Sequence, residues 1–471
     1  MSLRSMIRHS INHLGVVAAS KVMPLASLLI YSRFLSPAEY GVVSLFVSYI
    51  WILGIAVSLN LHTAIGRFIY DKAAPAGELL GTTLLPIGVV FTLGILVAAW
   101  DLDRTADLLS LPRYAVPLLF AAAAGQIAES VLIQVLTARE RSGSLFAAIA
   151  IRSGMSLVAT LMLFQSLSSD RYLAVLWAEA ATNALFVAYL LLALSADRPW
   201  SFSWSRLRAF ADYSLPLIPY MLSLTLISQF DRVMLDRALG KETTGIYSIS
   251  YNLGILLVMV ASALINALNP RFFSAMDTQR HDDVRRDARA VFAVCAFCAF
   301  GLALFGPVVA RLVIPHQYEQ GFALIPLIAI GGLASVVFQI WARVIFYSKK
   351  TYQLSLIAVS ASILKIGLNA LVIPSLGIWG AALTTLLAYG FMAAATIVVI
   401  NVDFRSFRVS VAHEAAWFSC LSIVLAMEHF LDIQGSIILA LKAAVLLVVA
   451  IVAARSVRAF IASNASQASR P

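Results

Sequence analysis

Four basic residues stand inside long apolar runs of this chain: Lys21, Arg152, Arg343 and Lys365. Two carboxylates, Glu129 and Glu179, share that setting, and the adjacent pair Asp231 and Arg232 lies near the end of another run. At 1.5 Å per helical residue, Lys21 lies ~15 Å, Arg152 ~14 Å and Lys365 ~20 Å inside, with Arg343 nearer the mouth. A cation at the centre of a bilayer costs at least ~2.5–3.5 kcal/mol, so each needs a wet cavity or a partner. Two arrangements meet that need. In one, Lys21, Arg152, Lys365 and Arg343 line a cationic cavity suited to an anion. In the other, Lys21 or Arg152 pairs with Glu129 or Glu179, and Arg343 snorkels to the aqueous face. Asp231 and Arg232 point about 100° apart on a helix, so they do not simply pair with each other. They read as part of a gate, or as structural charges at a helix end. Glu129, Glu179 and Asp231 are also the groups available for coupling to an ion.

Other chemistries find little support. Cys295 and Cys298 form a C-x-x-C inside an apolar run, and Cys420 lies in another, where thiols act as small packing residues. The seven histidines are scattered without metal-ligand spacing. No Gly-rich phosphate loop follows a strand pattern, so direct use of a nucleotide is disfavoured. Asp101-Leu-Asp103 falls in a short loop and reads as accidental. Neither a metal nor another cofactor is expected, and an enzyme is not expected either.

The elements that must carry these residues are apolar stretches of about 17 to 25 residues, each long enough to cross a ~30 Å hydrocarbon core as a helix. Fourteen follow one another, approximately at 11–35, 40–64, 77–100, 114–137, 143–167, 171–194, 209–233, 245–268, 288–312, 322–346, 352–373, 377–400, 410–430 and 434–456. Mean hydropathy is +0.88, and 12% of residues are charged, about half the usual share in soluble proteins. Because lipid offers no hydrogen bonds to a backbone, such unalternating spans must be helices. The fold class expected is an all-α integral membrane protein of about 14 transmembrane helices. Loop Lys and Arg divide 21 to 7 between alternate sides, which places both termini in the cytoplasm. The same dispersal shows that the net charge of +10 makes no continuous patch for nucleic acid. The run after Arg4 and Arg8 is long, contains Lys21 and lacks a small-residue cleavage site, so it reads as a retained first helix.

An internal repeat organises the spans. Phe34-Leu-Ser-Pro-Ala-Glu-Tyr-Gly-Val-Val-Ser44 aligns without gaps to Ala238-Leu-Gly-Lys-Glu-Thr-Thr-Gly-Ile-Tyr-Ser248, with Leu35/Leu239, Gly41/Gly245 and Ser44/Ser248 identical. Six spans per repeat, running in the same direction, give two pseudo-symmetric lobes, 1–204 and 205–404. Two additional helices follow over 405–458, then a cytoplasmic tail, 459–471. Parallel repeats of this kind are a transporter architecture, with substrate held between the halves. Pro24 in the first helix of one half, and Pro216 with Pro219 in that of the other, should bend those helices. Arg271 to Ala290 reads as a solvated, mixed-charge linker.

Several segments resemble the Wzx-type polysaccharide flippases. They are Tyr213-Ser-Leu-Pro-Leu-Ile-Pro-Tyr220 with Asp231-Arg232 and Leu239–Ser248, the early run Arg33–Gly41 with Arg67, and the pair Asn369–Pro374 and Leu376–Leu383. The likeness runs from position 12 to about 400. It implies membership of the multidrug/oligosaccharidyl-lipid/polysaccharide exporter superfamily, with two six-helix lobes working by alternating access. Within it, this branch implies flipping of undecaprenyl-pyrophosphate-linked oligosaccharide across the bacterial inner membrane for O-antigen, capsule or exopolysaccharide synthesis. The implied partners are that lipid-linked oligosaccharide, the surrounding membrane lipid, and the polysaccharide polymerase and chain-length proteins. The cationic cavity of Lys21, Arg152, Lys365 and Arg343 would then hold the pyrophosphate. A drug or cation antiporter of the same superfamily is the alternative, although it should show mid-membrane carboxylates in the first or seventh helix, where Lys21 stands instead. A membrane polysaccharide polymerase is a third, and would be expected to carry a large outer loop.

Overall fold

The computed structural model describes residues 23–69, 75–139, 141–197, 199–404, 407–410, 412–430 and 436–468; among them the regular elements are helices. Two compact units divide the chain, Met1–Ser248 and Ile249–Pro471. The first holds α1 (23–34), α2 (Pro37–Ser58), α3 (His62–Phe68), α4 (Ala76–Trp100), α5 (Leu102–Leu109), α6 (Ala115–Ala138), α7 (Ser142–Ser166), α8 (Tyr172–Ala193), α9 (Trp204–Ser214) and most of α10 (Ile218–Gly254). The second holds α11 (Leu256–Asp277), α12 (His281–Val313), α13 (Ile325–Tyr347), α14 (Thr351–Asp403), α15 (Ala412–Phe430) and α16 (Ser436–Ala468). Nine helical segments among the described residues are long and apolar enough to cross a membrane, which makes this an all-helical, multi-pass membrane protein.

Two of these segments are helical hairpins. Within α10, Tyr247 donates its hydroxyl to Asp231 at 2.8 Å, although sixteen residues separate them. Sixteen residues of straight helix would span ~24 Å, so the chain must double back. It does so at Gly240, whose φ of 85° suits glycine. In α14 the Thr384 hydroxyl donates to Asn369, and the break lies at Gly377, with φ 58°. Both turns fall where the hydropathy pattern separates consecutive spans.

The repeated motif has a local structural meaning. Ser36-Pro-Ala-Glu39 is a capping box: the Glu39 N–H donates to Ser36 Oγ, and the Ser36 N–H donates to Glu39 Oε2 at 2.9 Å, with Pro37 opening the helix. Glu39 also accepts the Arg171 N–H at 2.7 Å, which ties the start of α8 to the start of α2. The two repeat glycines face each other's helices. A Cβ on Gly41 would lie 2.0 Å from the Lys241 carbonyl oxygen, and one on Gly245 would lie 1.9 Å from that of Pro37. Pro37 and Lys241 are themselves equivalent in the repeat, so the contact is reciprocal. Backbone approach this close is open only to glycine at a helix crossing.

Other helices of the first unit pack as a bundle. Ala128, Val131, Leu132 and Val135 of α6 meet Phe186 and Leu190 of α8, Leu145 and Ile149 of α7, Ile65 of α3 and Leu80 of α4. Gly125 lets α8 come so near α6 that a Cβ there would stand 2.2 Å from Asn183 Oδ1. Ahead of α10, Leu215–Leu217 forms a 3-10 turn that contains Pro216, so the proline pair interrupts the helix as expected.

The segment from Arg271 to Ala290 is not a solvated linker. Helix α11 continues to Asp277 and α12 starts at His281, leaving a short turn with Gln279 at φ 55°. Several of its charges pair within the fold. Arg285 pairs with Asp282 at 2.9 Å and Arg286 with Asp283 at 3.2 Å, both at i,i+3, while Arg271 reaches Asp287 at 2.6 Å. Mixed charge at that spacing supports a helix as readily as a loop, which composition alone does not reveal.

Candidate functional site

In the first unit, Arg152, Ser156 and Thr160 recur at four-residue spacing and share one face of α7. On α8, Glu179 and Asn183 do the same, and Glu129 meets them from α6. The guanidinium of Arg152 stands 3.0 Å from Glu129 and 3.8 Å from Glu179, and donates to Asn183 Oδ1 at 3.5 Å. Ser156 donates to Glu179 at 2.8 Å, and the Asn183 amide donates to the same carboxylate at 3.1 Å. The Tyr31 hydroxyl of α1 completes the group, 3.3 Å from Thr160. Arg152 lies 5.9 Å from the centre of the Phe186 ring and lines a cavity of about 370 Å³ walled by Ala148, Ile151, Met155, Leu185 and Phe186. Of the two arrangements open to Arg152, the structure adopts the paired one, with both carboxylates on a single guanidinium. Lys21 lies outside the described residues.

Asp231 and Arg232 are 0% and 4% exposed, so neither caps a solvated helix end. Asp231 accepts from Tyr247 across the hairpin, whereas Arg232 donates to the Ser228 carbonyl at 2.9 Å and to Gln229 Oε1 at 3.1 Å. Ser48 of α2 also donates to Gln229, at 3.2 Å. Phenylalanine at Tyr247 deletes a bond to a buried carboxylate and should cost about 1.5–3 kcal/mol, measurable as a lower unfolding temperature in detergent.

The second unit holds the other two cations. Lys365 is 1% exposed on α14, and Ser362 and Asn369 beside it at i−3 and i+4 are also buried, giving that helix a polar stripe. Arg343, 9% exposed on α13, donates Nε to the Ile340 carbonyl at 3.2 Å and lays its guanidinium 4.7 Å from the centre of the Phe272 ring. It does not snorkel freely to an aqueous face. Beside it, Trp341 is buried and packed against Phe407.

A family model described as "Polysaccharide biosynthesis protein" matches residues 30–325, more than half of the chain. The protein belongs to the polysaccharide biosynthesis family. Protein 1 of the Lsg locus of Haemophilus influenzae is 24% identical over 283 residues, covering 58% of this chain and 67% of that one. The fold is shared with the lipid II flippase MurJ in its inward closed conformation, at TM-score 0.72 and 11% identity over 96% of this chain and 99% of that one. It is also shared with an inward-facing multidrug resistance MATE transporter of the MOP superfamily, at TM-score 0.64 and 16% identity over 84% and 98%. At such low identities these structures establish the fold.

In this polysaccharide biosynthesis protein the charges therefore gather at separate places: Glu129, Arg152 and Glu179 in one unit, and Lys365 and Arg343 at two positions in the other. Sequence reading did not single out Ser156, Asn183, Tyr31 or Thr160, although the polar i,i+4 spacing on α7 and α8 was a usable signal. It also missed Tyr247 and Asp287, whose partners lie on other helical segments. Chemically, the described residues of the family member place buried donors and carboxylates at these positions.

Proposed function

We propose that this protein is a flippase. It moves undecaprenyl-pyrophosphate-linked sugar repeat units across the bacterial inner membrane, by alternating access, for the synthesis of a surface polysaccharide such as O-antigen, capsule or exopolysaccharide. The observation that carries this reading is the match of residues 30–325 to the polysaccharide biosynthesis family on a fold held in common with a lipid II flippase. Physical chemistry gives the substrate class its logic. A diphosphate is very costly to expose to hydrocarbon, so its carrier needs charge-assisted donors at membrane depth. Lys365 and Arg343 supply such donors, and Lys21 and Arg152 extend the set. Glu129, Glu179, Asp231 and Arg232 are assigned to gating or ion coupling. The excess of Lys and Arg in alternate loops favours both termini in the cytoplasm, and a polymerase and chain-length proteins would be met on the opposite side, after the substrate has crossed.

Deleting the chromosomal copy should cause the lipid-linked oligosaccharide to accumulate on the cytoplasmic leaflet, reversed by the wild-type gene. Intact polysaccharide together with raised drug sensitivity would instead assign the protein to the antiporters of its fold. Complementation with Lys365→Ala should flip about tenfold more slowly or worse, as expected for the loss of one charge-assisted contact to a phosphate. Lys365→Arg should retain more, and membrane protein levels should be equal in both. Undiminished flipping by Lys365→Ala would remove that residue from the site.

A further inference from the structure

Three polar atoms converge at the adjoining ends of α11, α12 and α13 without hydrogen bonds among the described residues: Arg271 Nη2, Asp287 Oδ1 and Arg343 Nη1. They belong to three different helices. Asp287 uses its other oxygen to hold Arg271 Nε at 2.6 Å, and the residue is only 5% exposed. Arg343 makes no ion pair among the described residues, and its guanidinium lies over Phe272, the chain neighbour of the Arg271 that Asp287 holds. Arg343 is steadied by its own turn, through Ile340, and by the Phe272 ring of α11. Asp287 on α12 thus keeps a buried carboxylate oxygen without a donor, and Arg343 on α13 a buried guanidinium N–H without an acceptor. Buried polar groups of this kind are unfavourable until paired.

We infer that Asp287 exchanges partners, holding Arg271 in the conformation seen and engaging Arg343 in a second one, so that α12 is tied alternately to α11 and to α13. The inference rests on the alternating-access reading and locates one of its moving parts within the second unit. Several features favour exchange over a fixed pair. Asp287 has one oxygen for each arginine, which makes the carboxylate the shared element. Arg343 keeps its charge poised by a cation–π contact, which yields more readily than a hydrogen-bonded ion pair. Packed helices tend to shift between discrete arrangements, and an ion pair with two alternative partners offers two such arrangements.

The test measures distance and needs no substrate. With Cys295, Cys298 and Cys420 replaced by alanine, spin labels are placed through Arg289→Cys on α12 and Phe346→Cys near the end of α13, both exposed. Two distance populations are expected in the chain that keeps Asp287 and Arg343. Arg343→Gln should reduce one of them about fivefold or more, whereas Arg343→Lys should retain both, since a charge partner remains. A single population in the parent, or two populations that ignore Arg343→Gln, would overturn the exchange. Because the readout is a distance, it stands or falls apart from the identity of the flipped lipid. Loss of lipid accumulation in the deletion strain would remove the flippase reading and leave the distance result intact.

Discussion

Leucine in place of Gly245 is expected to leave essentially no folded protein in the membrane. The Cβ alone would stand 1.9 Å from the Pro37 carbonyl oxygen, 2.8 Å from its carbon and 3.0 Å from the Gly41 nitrogen. Every one of these atoms is backbone, and Pro37 opens a helix anchored by the Ser36–Glu39 capping box. No side chain is available to swing aside, so the two helices must separate. Separation would cost the contact on both sides, since Gly41 meets Lys241 in the same way. Overpacking usually costs about 1–3 kcal/mol where side chains can adjust; a rigid backbone neighbour puts Gly245→Ala near the top of that range and leucine beyond it. Against a total stability of about 5–15 kcal/mol, the leucine variant should be lost. The check is the folded fraction after detergent extraction, read by size exclusion. Gly390→Ala is the control, because nothing lies within 4 Å of a Cβ there; its yield should match the parent.

Arg152→Ala should destabilise the first unit by about 3–5 kcal/mol, the cost typical of removing one partner from a buried ion pair. Arg152, Glu129 and Glu179 have side chains 17%, 14% and 25% exposed, so water screens them little. Without the guanidinium, two carboxylates from α6 and α8 lose the cation that both face. Thermal unfolding in detergent measures the loss. Combining Arg152→Met with Glu129→Gln and Glu179→Gln should recover most of it, because replacing a whole buried charge group is far milder than breaking one. Flipping by that stable triple variant then separates two roles. Lost flipping assigns the cluster a part in transport, and retained flipping assigns it to architecture.

The predictions differ in how far they were legible from the residues. That the chain is helical and multi-pass followed from run length and from the backbone's need for internal hydrogen bonds, both local properties. The hairpin turns at Gly240 and Gly377 sit between consecutive apolar runs for the same reason. The repeat pairing Gly41 with Gly245 was visible in sequence, but not that the two glycines meet across one crossing. The partners of Arg152 were narrowed to two carboxylates, and the choice between pairing and an open cavity stayed undecided. What decided it was the rotation of α6, α7 and α8 about their own axes. In a membrane helix the lipid-facing and protein-facing sides are both apolar, so hydrophobic periodicity reports that rotation poorly. Asp287 escaped notice for a related reason: its partner Arg271 lies on another helix, and only packing brings the two within reach. Sequence by itself determined that the chain is all-helical and crosses the membrane many times. Tertiary structure alone decided which charges meet, because an ion pair between helices depends on their rotation and depth, which no single span encodes.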